Sequence, residues 1–299
     1  MNRDLPPFRI RGVIYGTAVA DAIGAANEFL SPGDIAKRGP ITGMVPSSIW
    51  QRGEWTDDTE LTLAVCEAYD GPSLAVQRTV AAMLHWYATG PKDIGNTTAA
   101  ALDSYLGLDY QTPPAVLPTN GSIMRAAPTG CIYQPDDPAL VYDASILSNI
   151  THTHPYCRGA CIAQAVAVSN LVYRPFLGPL AAMQAAAAAV QDCYKPVAET
   201  IFGVLHRDRP QHENASMGFV LLTLERAFTA LRDAANYQDA VLHIANLGGD
   251  ADTNAAVAGA LLGAWFGENA IPAEWHRDVL HQDRLERACQ ILLRHAEVQ

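Results

Sequence analysis

Apolar residues recur along this chain at helical spacing, and in several stretches they occupy almost every position instead of one stripe. The pattern predicts helices over Val13–Ile23, Glu60–Tyr69, Leu74–Tyr87, Gly159–Val172, Leu180–Val190, Met217–Leu231, Ala240–Ala245, Asn254–Phe266 and Arg284–His295. Strand-like alternation is rare and β-branched runs are scarce, so the expected fold is all-α. Segments that are alanine and leucine on every face have to be buried all round, which implies a compact bundle whose helix axes approach closely. Gly-, Pro-, Asn- and Asp-rich segments separate them, at Ser31–Gln51, Leu108–Thr119, Thr129–Pro138 and His206–Glu213. Long loops of this kind are more often functional than idle. No repeat of fixed period and no shift in composition marks a boundary, so residues 1–299 are read as one domain.

Composition narrows the function classes. With 49% hydrophobic and 17% charged residues, the chain can bury a core and is not a disordered sequence. Lys and Arg number 20 against 31 Asp and Glu, a net charge of −11. Such a chain offers no basic footprint for a phosphate backbone, so nucleic acid is not an expected partner, whereas a small anion held locally is still admissible. The longest apolar run, Ala255–Phe266, falls well short of the roughly 20 residues of a bilayer span, and no basic stretch followed by a hydrophobic run opens the chain. A cytoplasmic protein without a membrane partner is expected. The six cysteines are scattered with no Cys-x-x-Cys pair, which favours buried free thiols over disulfides or zinc.

Chemistry gathers where acids crowd helix starts. Gly53-Glu54-Trp55-Thr56-Asp57-Asp58-Thr59-Glu60 runs directly into an apolar helix. Capping explains one or two of these residues, but not four successive oxygen-bearing side chains. Asn246-Leu247-Gly248-Gly249-Asp250-Ala251-Asp252-Thr253-Asn254 repeats the arrangement, with a glycine turn ahead of Asp250, Asp252 and Thr253. An EF-hand loop is excluded, because its obligatory glycine and glutamate positions hold Ala255 and Leu261. A third segment, Gly16 to Phe29, packs small residues and ends near Glu28; taken alone, a buried helix with Glu28 at its surface end accounts for it. If the three converge, Asp57, Asp58, Asp250, Asp252 and Glu28 cannot all stay ionised without cations, since two carboxylates about 4 Å apart repel by about 4 kcal/mol at an effective dielectric near 20. Two divalent ions would nearly balance them, and oxygen donors without Cys or His select a hard ion such as Mg²⁺, Mn²⁺ or Ca²⁺.

These motifs resemble the ADP-ribosylglycohydrolases, in order and over most of the chain, from Gly12 to Gly267. The resemblance rests on Gly16-Thr17-Ala18-Val19-Ala20-Asp21-Ala22-Ile23-Gly24 with Glu28, Trp55-Thr56-Asp57-Asp58-Thr59, Asp93-Ile94-Gly95-Asn96-Thr97-Thr98, Asn120-Gly121-Ser122-Ile123-Met124-Arg125-Ala126-Ala127-Pro128, Thr151-His152 and Gly248-Gly249-Asp250-Ala251-Asp252-Thr253. Ala20 departs from the usual glycine, at a packing position. The resemblance implies an all-α bundle around a central site of two divalent cations, Mg²⁺ or Mn²⁺, with Thr56, Asp57, Asp58, Asp250, Asp252 and Thr253 as ligands. It implies catalysis by Glu28 and Asp58, with metals holding the ribose hydroxyls while water replaces the leaving group at C1″ of the distal ribose. Gly95, Asn120, Gly121, Ser122, Met124 and His152 would bind the ADP-ribose moiety, the Asn120 loop giving backbone donors to its diphosphate. Asp93 would pair with a guanidinium and so favour arginine-linked ADP-ribose, with serine-linked or O-acetyl-ADP-ribose as alternatives. His154, two residues from His152, is read as a neutral structural histidine. Two rivals are a phosphatase of the haloacid dehalogenase type, which needs its Asp-x-Asp at a strand end in a parallel sheet, and a non-catalytic ADP-ribose-binding relative.

Overall fold

The computed structural model describes residues 6–71, 74–107 and 117–298, with side chains to 296. Most of Leu108–Thr119, one of the segments expected to be irregular, lies outside the described residues. Among the described residues fifteen α-helices follow in order: α1 (Pro6–Gly24), α2 (Pro32–Arg38), α3 (Asp57–Ala68), α4 (Val76–Tyr87), α5 (Asn96–Tyr105), α6 (Ala127–Ile132), α7 (Pro138–Asn149), α8 (Pro155–Tyr173), α9 (Gly178–Val190), α10 (Lys195–His206), α11 (Val220–Asp233), α12 (Tyr237–Ala245), α13 (Ala251–Phe266), α14 (Ala273–Asp278) and α15 (Gln282–Val298). No strand occurs among the described residues, only an isolated bridge between Thr119 and Phe219. The all-α expectation holds, and the parallel sheet that the phosphatase rival requires is absent from them.

All nine expected helices form, and six more appear. Four of these, α2, α6, α7 and α10, overlap segments read as irregular. Inside Ser31–Gln51, Ser31 caps α2 in a reciprocal capping box with Asp34, and Pro32 starts the helix. Thr129–Ile132, read as the start of a loop, completes α6, and Asp137 caps α7 ahead of Pro138. α2 and α6, at seven and six residues, are too short to show the long apolar period that signals a helix; α7 carries one in Leu140, Ala144 and Leu147 that the reading passed over.

The centre is an antiparallel pair, α1 against α13, buried along nearly their whole length. A Cβ on Gly12 would lie 2.2 Å from the Gly263 carbonyl oxygen, one on Gly16 2.4 Å from that of Gly259, and one on Gly24 2.4 Å from that of Ala251. Backbone therefore meets backbone, which only small residues permit. Ala20 packs on Gly259, where a Cβ would stand 2.4 Å from the alanine methyl, and the buried Tyr237 hydroxyl donates to the Gly16 carbonyl at 2.7 Å. Because the pair is antiparallel, the end of α1 and the start of α13 share one end of the bundle. The six cysteines are free; five are buried, and Cys193 departs from expectation by being exposed. No single described helix is long and apolar enough to cross a membrane.

Candidate active site

At that shared end, Asp21 of α1 plugs the start of α3. Its carboxylate accepts the Thr56 N–H at 3.1 Å, the Thr59 N–H at 3.0 Å and the Thr59 hydroxyl at 2.5 Å. First-turn N–H groups lack partners within their own helix, and a carboxylate there also meets the positive end of the helix dipole. Asp21 is completely buried, and burial pushes its pKa up to about 6 against the lowering effect of these bonds. Thr56 caps the same helix, its hydroxyl donating to Asp58 Oδ2 at 3.2 Å while the Asp58 N–H donates back at 3.3 Å. The Thr253 hydroxyl, from α13, donates to the same Asp58 oxygen at 3.2 Å. The two helix starts are thus tied through one carboxylate.

The third segment joins by backbone. The Phe29 N–H donates to the Gly249 carbonyl at 2.7 Å and the Gly249 N–H to the Leu30 carbonyl at 2.9 Å. Gly248 makes this possible: its φ is +68°, and a Cβ would lie 2.3 Å from the Leu30 oxygen. The pairing brings carboxylate oxygens of Glu28, Asp250 and Asp252 within 4.8 Å of one another. Asn120 Nδ2 donates to Asp250 Oδ2 at 2.6 Å, holding that carboxylate against the loop before α6.

Crowding acids in a buried place makes ionisation costly. Burial first, and then the charge of Asp93, push Glu28 and Asp57 up to about 8. Asp58 and Asp252 are raised well above the usual carboxylate range, again chiefly by burial. Asp58 Oδ1 is a buried acceptor with no hydrogen-bond partner among the described residues. A donor set of carboxylates and hydroxyls that includes an orphaned carboxylate oxygen suits hard divalent cations.

A cavity of about 440 Å³ opens over the cluster. Glu28, Asp57, Asp250, Asp252 and Thr253 line one side; Asp93, Gly95, Asn120, Gly121, Met124 and His152 line the rest. Of the residues expected from sequence, Thr56, Asp58 and Ser122 do not line it. Thr56 borders instead a smaller cavity of about 140 Å³ shared with Trp50, Trp55, Asp57 and Asp93, and Asp58 is wholly buried. The Ser122 hydroxyl points inward, accepting from Ser148 Oγ at 3.1 Å and Cys161 Sγ at 3.4 Å. The Gly95 N–H donates to Asp57 Oδ2 at 3.4 Å. His152 is buried and neutral, its pKa driven down to about 3 by burial and by the charge of Arg125. His154 caps α8 by accepting the Tyr156 N–H at 3.1 Å, outside the cavity, as a structural residue does.

Sequence reasoning passed over Asp21, Phe29, Leu117 and Met217. The last three are exposed apolar residues on the cavity rim. Phe29 carries a detectable signal only in the backbone, a φ of +60° unusual for a bulky residue. A larger cavity, about 520 Å³ between α11 and α12, contains none of the clustered carboxylates.

The ADP-ribosylglycohydrolase family model matches residues 4–299. An ADP-ribosylarginine hydrolase from Serratia proteamaculans is 30% identical over 95% of this chain and 78% of its own length, and one from Pseudomonas putida is 31% identical over 95% and 77%. The ADP-ribosyl-[dinitrogen reductase] glycohydrolase of Rhodospirillum rubrum is 28% identical over 89% of this chain and 88% of its own. Among solved structures, an ADP-ribosylglycohydrolase-related protein complex superposes with a TM-score of 0.80 at 26% identity, covering 97% of this chain and 98% of the other.

Proposed function

Because the chain belongs to the ADP-ribosylglycohydrolase family, we propose that it is a metal-dependent hydrolase that removes ADP-ribose from arginine side chains of modified proteins. The observation that carries this reading is the juxtaposition, around one cavity, of the acidic cluster, the half-buried Asp93 and the Asn120-Gly121 loop. Thr56, Asp57, Asp58, Asp250, Asp252 and Thr253 would hold two divalent cations, Mg²⁺ or Mn²⁺, whose chemistry is to fix the ribose hydroxyls and polarise C1″ of the distal ribose.

The chain's own groups then divide the remaining work. Glu28 faces the cavity and takes the proton of the attacking water. Asp58, wholly buried between two threonine hydroxyls, has no room for that role and serves as a ligand. Asp93 forms no ion pair with any described residue, leaving its carboxylate for the guanidinium, which a carboxylate can grip in a bidentate pair. The C1″–N bond breaks, oxygen from water joins C1″, and the proton departs with the guanidine. Gly95, Asn120, Gly121, Ser122, Met124 and His152 bind the ADP-ribose, Ser122 through its N–H because its hydroxyl is turned away.

The deciding experiment incubates the protein with Mn²⁺ and, in parallel, ADP-ribosylated arginine peptide, ADP-ribosylated serine peptide and O-acetyl-ADP-ribose, and measures released ADP-ribose. Preferential release from arginine is expected. Release mainly from serine or from the O-acetyl ester would overturn the arginine assignment, and tight ADP-ribose binding without release from any of the three would identify a binding protein.

A further inference from the structure

Arg125 is completely buried directly behind the Asn120-Gly121-Ser122 loop, yet no carboxylate of a described residue pairs with it. Its guanidinium donates to the Gly121 carbonyl at 2.5 Å, the Leu147 carbonyl at 3.2 Å and the Thr151 hydroxyl at 2.7 Å, while its Nε has no acceptor among the described residues. A buried charge ordinarily requires a partner, and here the desolvation is strong enough to bring the guanidinium pKa down to about 10.

Two geometric consequences follow on the cavity side. In a planar trans peptide the C=O and the following N–H point opposite ways. Arg125 draws the Gly121 carbonyl inward, so the Ser122 N–H is turned outward, to the side on which Gly121 borders the cavity; neither the Gly121 nor the Ser122 N–H has an acceptor among the described residues. The second consequence concerns His152. Thr151 Oγ1 accepts from Arg125 and stands 2.7 Å from His152 Nδ1; with its own proton given to Nδ1, the imidazole carries its proton on Nε2. That nitrogen is 3.1 Å from where a Gly121 Cβ would be, at the cavity wall.

We infer that Arg125 is the positioning residue of an anion site, aiming the Ser122 N–H and the His152 Nε2–H at a diphosphate and supplying the positive charge that this dianion balances when it binds. The inference rests on the ADP-ribose reading for the identity of the ligand, but not for the existence of the anion site.

The test is calorimetry of the full-length protein with ADP-ribose and, separately, with inorganic pyrophosphate, on wild type, Arg125→Met, Arg125→Lys and Thr151→Val. Arg125→Met is expected to weaken ADP-ribose binding at least tenfold, and Arg125→Lys, which keeps the charge without the fork, to recover part of that loss. In turnover, KM should rise while kcat changes little. ¹⁵N spectra of the histidine rings should show His152 protonated at Nε2 in wild type and a growing Nδ1-protonated form in Thr151→Val, a readout that survives if Arg125→Met does not fold. A folded Arg125→Met protein with unchanged affinity, or a wild-type His152 protonated at Nδ1, overturns the inference. Wild type binding pyrophosphate but not ADP-ribose supports the anion site and overturns the functional reading; wild type binding neither overturns both.

Discussion

Asp252 enters α13 with its carboxylate beside those of Glu28 and Asp250, and its own Oδ1 accepts the Thr253 N–H at 2.8 Å. Substituting it with alanine should abolish measurable Mn²⁺ binding and lower kcat by more than a hundredfold, both readable from calorimetry and a release assay. Asp21 makes a different kind of residue. It reaches no substrate, but Asp21→Asn removes a charge-assisted acceptor of two N–H groups and one hydroxyl, and should cost about 1–3 kcal/mol in urea unfolding. The contrast shows what can be read from residue types. Asp57, Asp58, Asp250 and Asp252 stand out because acids in tandem at a helix start exceed what capping needs. Asp21 sits alone among small apolar residues of α1, and only the three-dimensional approach of α3 reveals its task. Ser122 errs the other way: the motif marks it, but its hydroxyl faces the core.

Helices carry the next level. The α1–α13 pair is held at backbone contact by glycines, so Gly259→Val should clash with the Gly16 carbonyl and the Ala20 methyl, 2.3 and 2.4 Å from a Cβ at that position. Overpacking of this kind costs about 1–3 kcal/mol, occasionally more. A shift of the urea midpoint together with a loss of Mn²⁺ affinity is expected, because prising α1 from α13 moves Glu28 away from Asp250 and Asp252. Long apolar helices were legible from periodicity alone. The short ones, α2 and α6, were not, because seven and six residues are too few to display a period; α7 and α10 carry buried apolar faces, Leu140, Ala144 and Leu147 in one and Val197, Ile201 and Val204 in the other, that the reading passed over.

For the molecule as a whole, the acidic cluster links stability to pH and to metal. Glu28 and Asp57, pushed up to about 8, and Asp58 and Asp252, also raised, bind more protons folded than unfolded. In metal-free protein this stability is present below about pH 4 and is lost as pH rises toward about 8. Thermal melts with chelator should therefore show the cluster's contribution falling across that window, and added Mn²⁺ should raise Tm more at pH 8 than at pH 5; a metal effect independent of pH would contradict the arrangement. Net charge also reads differently once the site is known, since part of the −11 is gathered in one pocket instead of spread over the surface. The antiparallel α1–α13 core has one more consequence, in the order of synthesis. Glu28 leaves the ribosome long before Asp250, and at about 5–20 residues per second the first helix waits on the order of ten to forty seconds for its partner. A nascent chain halted before Ala251 presents α1 with no helix to cover its glycine-lined face, so such intermediates should be captured by chaperones and should bind no metal.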